Sequence, residues 1–245
     1  MDEQWVSETS PWICYPLESW QPLIGNLKPI IYKRKTFQYH QDDAAAFTYI
    51  VKSGRIRVTA FSPDGAEKQL YIAEAGCCCG EVSCIMGLPH ASSALSIVDT
   101  YVYRVSAAEL ISTIRDNWEI NMRIFNMVFR KNIVFRNQIL ELSFSQSLER
   151  TASLLLNLCK QYGVEEADGW RIDIHFTHSE VASMVNASRV TVSNIFTWML
   201  ENGYLKKQGR FVVVTSLENL RQLAAGDESP QRNGPQSAPA GHYKQ

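Results

Sequence analysis

The sequence has 245 residues, of which 45% are hydrophobic and 20% are charged, and its formal net charge is −1. A chain of this length and composition is typical of a globular protein with one large core or two modest ones. It contains no run of about 18 apolar residues, and its first residues include acids where a secretory leader has basic and apolar residues, so we expect a cytoplasmic protein with no membrane span.

Short runs of alternating polar and apolar residues, separated by turns, extend from about residue 30 to residue 105. Strands at 55–61 and 68–73 are joined by the turn Pro63-Asp64-Gly65, which predicts a hairpin. Many short strands without a helix between them predict an antiparallel roll or barrel. We assign residues 1–115 to this sensor domain, with a helical segment at its N-terminal end. Further strands are predicted at 47–52, 94–98 and 101–105.

Six cysteines stand at positions 14, 77, 78, 79, 84 and 159. Three of them are consecutive, which does not suit a disulfide framework, so reduced thiols are expected. We interpret Cys77–Cys79 and Cys84 as small buried residues that fill the roll; the alternative is a thiol redox sensor or a soft-metal site. His90 lies near them and leaves a haem or metal site open, but we assign no residue as a metal ligand.

The pattern becomes helical after Ser106, which has capping-box spacing with Glu109. A stretch without Pro or Gly begins at Trp118 and reaches Arg150, and we assign a dimerisation helix to 116–145. The alternative is a helix that packs only on its own domain, but a buried Asn in a long seam favours a dimer because it fixes register at a cost in stability. The predicted seam is Phe125, Val128, Asn132, Phe135, Ile139 and Leu142.

Residues 146–225 are assigned to a second domain, which begins with an apolar helix at 148–161. The segment Gly163–Gly169 is predicted to be a polar, acidic loop. Residues 226–245 are rich in Gly, Pro, Ser and Gln and are predicted to form a disordered tail. Residues 147–225 contain eight Lys and Arg against eight Asp and Glu, so any contact with nucleic acid has to come from locally placed cations.

Two short helices joined by a tight turn are predicted within 176–215. Thr177 and Glu180 have capping-box spacing, and Ser188 is a suitable N-cap for the second helix. Asn186 between them suits a left-handed turn residue. Together the two helices form a helix-turn-helix, and the inward face of the second helix is predicted to be Val192, Ile195, Phe196 and Met199.

The opposite face of the second helix presents groups that a DNA major groove can read. Arg189 can donate two hydrogen bonds to guanine, and Asn194 can pair with adenine. A predicted β-wing, in which 204–207 and 211–214 flank 208–210, adds cations for phosphates. The alternative is a polar helix face that is exposed to solvent and binds nothing, but the caps, the turn and the wing together favour a DNA-binding face. The expected DNA-binding residues are Thr177, His178, Ser188, Arg189, Val190, Thr191, Ser193, Asn194, Thr197, Lys206, Lys207 and Arg210.

The segment from Thr177 to Asn194 reads T-H-S-E-V-A-S-M-V-N-A-S-R-V-T-V-S-N, with E-N-G-Y-L following at 201–205. With the Tyr49–Gly54 strand and Gly80-Glu81, this set resembles the CRP/FNR family. The resemblance implies an α+β fold: an antiparallel β-roll like a cyclic-nucleotide-binding domain, a long dimerisation helix and a winged helix-turn-helix. It further implies a transcription regulator that binds palindromic promoter DNA as a homodimer and contacts RNA polymerase, for which the segment at 163–169 is one candidate.

The resemblance also implies an effector site, at Gly80, Glu81, Ser92, Ser93, Phe135 and Arg136. Family members that bind a cyclic nucleotide use a Gly-Glu pair for the ribose and an Arg for the phosphate, but Gly87–Ser93 contains no Arg. A phosphate there would lose a contact worth about 1.5–3 kcal/mol. Phe135 and Arg136 replace small hydroxyl residues that would reach the base. We therefore expect a small organic effector rather than cyclic AMP, with Arg136 balancing a phenolate or carboxylate and no cofactor required.

Alternatives to this interpretation are a thiol- or metal-responsive regulator that uses Cys77–Cys79 and Cys84, and a regulator that binds a cyclic nucleotide. Only Cys14 lies near the N-terminus, which argues against an iron–sulfur cluster. An enzyme is not expected, because no nucleophile–base pair, metal motif or Gly-rich phosphate loop is present. A binding module without DNA activity is disfavoured by the predicted wing.

The second helix departs from the usual family motif S-R-E-T-V-x-R, since Val190 replaces the Glu and Asn194 replaces the last Arg. Valine cannot accept a hydrogen bond from cytosine but can pack on a thymine methyl group. This predicts a more A·T-rich half-site. The sequence V-T-V-S at 190–193 also resembles the corresponding segment of the halorespiration regulators, which respond to halogenated aromatics.

Overall fold

A computed structural model describes residues 9–226 of the chain. These residues form two compact units, divided between Gln138 and Ile139. The strands are β1 Trp12–Ile13, β2 Ile30–Tyr32, β3 Phe37–Tyr39, β4 Phe47–Ser53, β5 Ile56–Phe61, β6 Glu67–Ala73, β7 Cys78–Cys79, β8 Ser93–Ser96, β9 Thr100–Ser106, β10 Gly163–Glu166, β11 Gly169–Ile172, β12 Leu205–Gln208 and β13 Phe211–Val214. The helices are a 3-10 turn at Leu17–Trp20, then α1 Gln21–Ile24, α2 Glu81–Met86, α3 Ala107–Asp116, α4 Trp118–Phe144, α5 Ser147–Tyr162, α6 His178–Val185, α7 Arg189–Glu201 and α8 Leu217–Ala225.

The first unit is built on two sheets, in the strand orders β1-β6-β5-β8-β3 and β2-β9-β4-β7. All pairs except β1 with β6 are antiparallel. The predicted hairpin is β5–β6, and Gly65 in its turn has φ 83°, a value that glycine adopts without steric cost. The predicted antiparallel β-roll is confirmed, and its core includes Tyr39, Tyr49 and Tyr71.

Helix α4 has two apolar faces with different surroundings. The first face packs into the core of the β-roll unit and is buried at Ile120, Ile124, Met127, Lys131 and Val134. The predicted seam lies beside it: Val128 and Phe135 are half-buried against the core, and Asn132 is exposed. Phe125, Ile139 and Leu142 are 50%, 62% and 40% exposed. Part of the seam therefore packs on its own unit, while the rest lies open within this chain.

The second unit combines α5–α8 with a sheet in the strand order β10-β11-β13-β12. The prediction of a loop at Gly163–Gly169 is wrong, because 163–166 is strand β10 and pairs with β11 from Gly163 opposite Ile172. Gly169 has φ 132°, and a Cβ there would lie 2.1 Å from the Val214 carbonyl oxygen. The strand depends on β11 pairing in turn with β13, a distant partner that the local acidic sequence does not reveal.

The helix ends follow local capping chemistry. Ser106 accepts a hydrogen bond from the Glu109 N–H at the start of α3, and Gln146 and Glu149 form a capping box at α5. That capping box separates α5 from α4, which ends at Phe144 although no Pro or Gly interrupts the sequence before Arg150. Gly226 caps α8 with φ 79°, while the rest of the predicted tail lies outside the described residues. Across residues 9–226, no helix combines the length and apolarity needed to span a bilayer.

Candidate nucleic-acid interface and effector site

The helix-turn-helix consists of α6 and α7. The Thr177 hydroxyl accepts from the Glu180 N–H while the Glu180 carboxylate accepts from the Thr177 N–H, which closes a capping box. Asn186 ends α6 in the left-handed conformation with φ 52°, and the Ser188 hydroxyl accepts from the Thr191 N–H at the start of α7. Each local feature that the sequence predicted here is observed.

The two faces of α7 separate as expected from the periodicity. Val192, Ile195, Phe196 and Met199 are buried, whereas Arg189, Asn194 and Thr197 are exposed. Val190 is 69% exposed, so its side chain is accessible to a partner. Ser193 and Thr191 are half-buried at the edge of this face, and Thr197 donates to the Ser193 carbonyl oxygen at 3.0 Å.

His178 begins α6 and lies close to two cations from other elements. Its ring packs against Phe196, with the ring centroids 4.8 Å apart and the planes tilted by 35°. Burial lowers the pKa of His178, and the positive charges of Lys207 and Arg189 lower that pKa further. The ring is therefore neutral at pH 7 in the protein alone, and a nearby anion would favour its protonation.

The wing, β12–β13, places Lys206, Lys207 and Arg210 on the surface. The Lys206 ammonium pairs with the Asp168 carboxylate of the β10–β11 hairpin at 3.3 Å, and both side chains are well exposed. A surface pair of this kind contributes little stability, so Lys206 can exchange Asp168 for a phosphate. The Arg210 guanidinium lies 5.3 Å from the Phe211 ring centroid.

The Gly-Glu pair in the first unit lies where β7 leads into α2. Gly80 has φ 84°, and a Cβ there would lie 2.9 Å from the His90 Cε1 atom and 3.3 Å from the Phe47 carbonyl oxygen. Glycine is therefore needed at this position for both its conformation and its small size. Glu81 follows at the first position of α2 and is only 1% exposed.

Glu81 binds a lysine that the sequence analysis missed. The Lys131 ammonium, from α4, lies 2.7 Å from a Glu81 carboxylate oxygen, donates to the Cys78 carbonyl oxygen at 2.6 Å and lies 4.9 Å from the Tyr71 ring centroid. Burial works against the charged form of Lys131, but Glu81 outweighs it, so the pKa of Lys131 is above its ordinary value. The signal was present in the sequence, since Lys131 continues the series Ile120, Ile124, Met127 at helical spacing.

The other predicted effector residues differ in how deeply they are buried. Ser93 is buried and its hydroxyl accepts from the Gln41 N–H at 2.8 Å, while Ser92 is half-buried. The ring centroids of Phe135 and Tyr71 are 6.2 Å apart, and Tyr71 is also the ring that Lys131 contacts. Arg136 is exposed. The structure therefore brings Gly80, Glu81 and Phe135 into one neighbourhood around Lys131 and Tyr71, and it places Arg136 at the surface.

His90 lies on the stretch where the family has its phosphate-binding arginine. It is buried, and its ring stacks on Tyr39 with centroids 3.7 Å apart. Burial lowers the pKa of His90, although Asp43 and Glu81 oppose this shift. A neutral, stacked imidazole supplies aromatic surface but no fixed positive charge for an anion.

The cysteine cluster has the properties of core packing. Cys77, Cys78 and Cys79 are fully buried and Cys84 is 2% exposed. Burial raises the pKa of Cys77 to about 12 and that of Cys84 to about 11, which disfavours the thiolate needed for redox chemistry or metal binding. In residues 9–226 no group of three or more His, Cys, Asp or Glu side chains is arranged to hold a metal ion.

These two sites define a class of protein: a cyclic-nucleotide-binding-like sensor joined to a winged helix-turn-helix that binds DNA. Residues 29–117 match the family model of the cyclic nucleotide-binding domain, and residues 149–223 match that of the Crp-like helix-turn-helix domain. The chain belongs to the CRP/FNR family of transcription regulators. Its relatives and its fold are those of transcription regulators, not of enzymes.

One relative is the CRP-like cAMP-activated global transcriptional regulator of Mycobacterium tuberculosis, which is 27% identical over 202 residues, 82% of this chain and 90% of the relative. FixK2 from Bradyrhizobium japonicum matches in structure with a TM-score of 0.70 at 21% identity, covering 80% of this chain and 96% of FixK2. CprK complexed with OCPA matches with a TM-score of 0.69 at 18% identity, covering 87% of this chain and 99% of CprK. Such similar scores at such low identities show the shared fold and do not separate subgroups.

Proposed function

We propose that this protein regulates transcription by binding a palindromic, A·T-rich promoter site as a homodimer, under the control of a small organic effector. The observation that supports this most strongly is the face of α7. Arg189 and Asn194 are exposed on one side of a helix that is capped at Ser188 and buried on its other side. Side chains held in this way can enter a major groove without rearrangement.

The homodimer is supported by the open part of the α4 seam. Phe125, Ile139 and Leu142 of this seam are 50%, 62% and 40% exposed on a helix whose other face is already buried. Isolated exposed apolar residues are common, but a row of them along one long helix is typical of an interface. In this proposal residues 1–115 are the sensor domain, 116–145 the dimerisation helix and 146–225 the DNA-binding domain.

The proposed effector site surrounds Glu81, Lys131 and Tyr71. The cation in this site is the Lys131 ammonium, which is already bound to Glu81 at 2.7 Å, and no arginine is present in 87–93. A cyclic phosphate would find no free guanidinium there. An aromatic acid can instead pack against the half-buried Phe135, next to Tyr71, while its anion competes for Lys131, which is why we propose a small organic molecule.

A cyclic nucleotide is the second candidate, because Gly80 and Glu81 keep the positions that hold a ribose in the family and the Mycobacterium relative is described as cAMP-activated. Thermal-shift measurements separate the two candidates, since a ligand at 100 times its Kd stabilises by about 2.7 kcal/mol. We expect chlorinated phenols or aryl carboxylates to raise the Tm and cyclic AMP to leave it unchanged. A Tm increase with cyclic AMP that Glu81→Gln abolishes would establish the second candidate instead.

The DNA proposal is tested by selecting binding sites from random duplexes with the full-length protein, with and without candidate effectors. We expect two A·T-rich half-sites whose centres lie about 10 base pairs apart, bound by two chains per duplex. Selection of sites without two-fold symmetry, or complexes with one chain per duplex, would refute the dimer. RNA polymerase contact through the β10–β11 hairpin and a cytoplasmic location belong to the same proposal.

A further inference from the structure

Arg150, in the first turn of α5, contacts three segments of the second unit at once. Its Nε donates to the Val185 carbonyl oxygen at 2.7 Å, and one of its terminal nitrogens donates to the Ser145 carbonyl oxygen. The other terminal nitrogen donates to the Ser147 hydroxyl at 3.2 Å and to the Asn186 carbonyl oxygen at 3.5 Å. One half-buried guanidinium therefore joins the end of α4, the start of α5 and the end of α6.

The contacts at Val185 and Asn186 lie at the turn of the helix-turn-helix. The last carbonyl groups of a helix lack donors within that helix, and Arg150 supplies donors to two of them. Asn186 has φ 52°, a left-handed conformation that asparagine adopts more readily than most non-glycine residues, and its carbonyl oxygen accepts from Arg150 at 3.5 Å. Because α7 begins three residues later, at Arg189, the conformation of this turn sets the direction of the recognition helix.

The contact at Ser145 lies directly after α4, and two further interactions fix that end of the helix. The Ser153 hydroxyl of α5 donates to the Glu141 carboxylate of α4 at 2.8 Å. The Gln146 N–H donates to the Glu149 carboxylate at 2.7 Å, as half of the capping box that starts α5. The last turn of α4 and the first turn of α5 are thus held together beside Arg150.

We propose that Arg150 is a positioning residue that sets the direction of α7 relative to the end of α4, so that movement at the end of α4 reaches the recognition helix. The inference rests on the proposed DNA-binding function and adds a route for its regulation. A guanidinium suits this role because its five donors lie in one plane and reach several carbonyl oxygens together. A lysine ammonium of similar charge cannot reproduce that planar set of contacts.

The first test compares wild type, Arg150→Lys and Arg150→Gln in the full-length protein, using the duplex selected by wild type and a scrambled duplex of equal length. We expect the ratio of specific to non-specific affinity to fall about tenfold for both variants, while affinity for the scrambled duplex stays unchanged. Arg221→Gln is the matched control: it removes the same charge from α8, where Arg221 is exposed and pairs only weakly with Glu218 at 3.5 Å. The ratio for this control should equal that of wild type.

A role limited to stability would lower the Tm but leave the ratio unchanged at a temperature where each variant is folded, and that result would overturn the inference. If Arg150→Gln does not fold, the lysine variant decides, because it keeps the charge and the alkyl stem. If wild type itself selects no site, the proposed function fails; if wild type selects a site and both Arg150 variants bind it as well as wild type does, only the Arg150 inference fails.

The second test uses the reciprocity of coupled sites. If the end of α4 communicates with α7 through Arg150, binding of the selected duplex should change amide hydrogen exchange at 139–145 in wild type. The same duplex, at saturating concentration, should produce no such change in Arg150→Lys. A change of equal size in both proteins would show that another route couples the two segments and would overturn the proposal.

Discussion

The β-roll and the recognition helix each keep a charged residue of the family motifs, Glu81 and Arg189, but Glu81 is buried in an ion pair and Arg189 is exposed. In the roll, the side chains of Glu81 and Lys131 are 2% and 6% exposed and bind each other. On α7, Arg189 and Asn194 are exposed, and Val190 beside them is 69% exposed. DNA therefore only has to displace water and ions from α7, whereas an effector has to compete with an existing ion pair.

The largest expected effect concerns that buried pair. Glu81→Ala leaves the Lys131 ammonium buried without its anion, which is expected to cost about 3–5 kcal/mol of unfolding free energy. Urea denaturation of the full-length protein measures this loss. The double variant Glu81→Gln with Lys131→Met removes both charges and should recover most of the stability. A single variant as stable as wild type would contradict the buried, paired state of the roll.

The next effect concerns the specificity of α7. Val190→Glu places a carboxylate where it can accept a hydrogen bond from cytosine, so the preference at one position of each half-site should change from thymine toward cytosine by about 1–3 kcal/mol. Because Val190 is exposed, the stability should change by less than about 0.5 kcal/mol. Site selection with the variant measures the preference. An unchanged selected sequence would mean that Val190 does not contact a base.

A smaller effect follows from the buried thiols. Since the pKa of Cys77 is raised to about 12 by burial, its stabilising contribution is complete below the pKa of the unfolded thiol and falls as pH rises above it. Between pH 9 and pH 10, wild type should therefore lose roughly 1 kcal/mol more unfolding free energy than Cys77→Ala, which lacks this thiol. Denaturation at these two pH values measures the difference. A matched Cys14→Ala variant, altered at an exposed thiol, should show less change.

The smallest effect concerns His178. Its pKa is lowered by burial, Lys207 and Arg189 in the protein alone, and a DNA phosphate nearby would raise it. Affinity for DNA should therefore increase as pH falls from 8 to 6, by roughly threefold for each half unit of pKa difference between the bound and free states. Fluorescence anisotropy titrations at constant ionic strength measure this trend. His178→Gln should bind with no such pH dependence, and a persisting trend would assign it to other groups.

The same contrast explains what could be predicted from the sequence. The helix-turn-helix was predicted in detail because each of its capping residues, Thr177, Glu180 and Ser188, acts on a group only three positions away. The strand at 163–166 was missed because its neighbour β11 is held in turn by β13, which comes much later in the chain. The Glu81–Lys131 pair was missed because its partners are 50 positions apart and because lysine is rarely buried, although the helical spacing places Lys131 in the apolar series.

The central claim, that the exposed face of α7 reads DNA sequence, is tested most directly by the double variant Arg189→Ala with Asn194→Ala. Its affinity for the duplex selected by wild type and for a scrambled duplex should be measured at the same salt concentration. We expect specific affinity to fall to near the non-specific level, at a loss of about 1–3 kcal/mol for each residue, while the Tm stays within a few degrees of wild type. Binding of the selected duplex by the folded double variant with the affinity of wild type would contradict the claim.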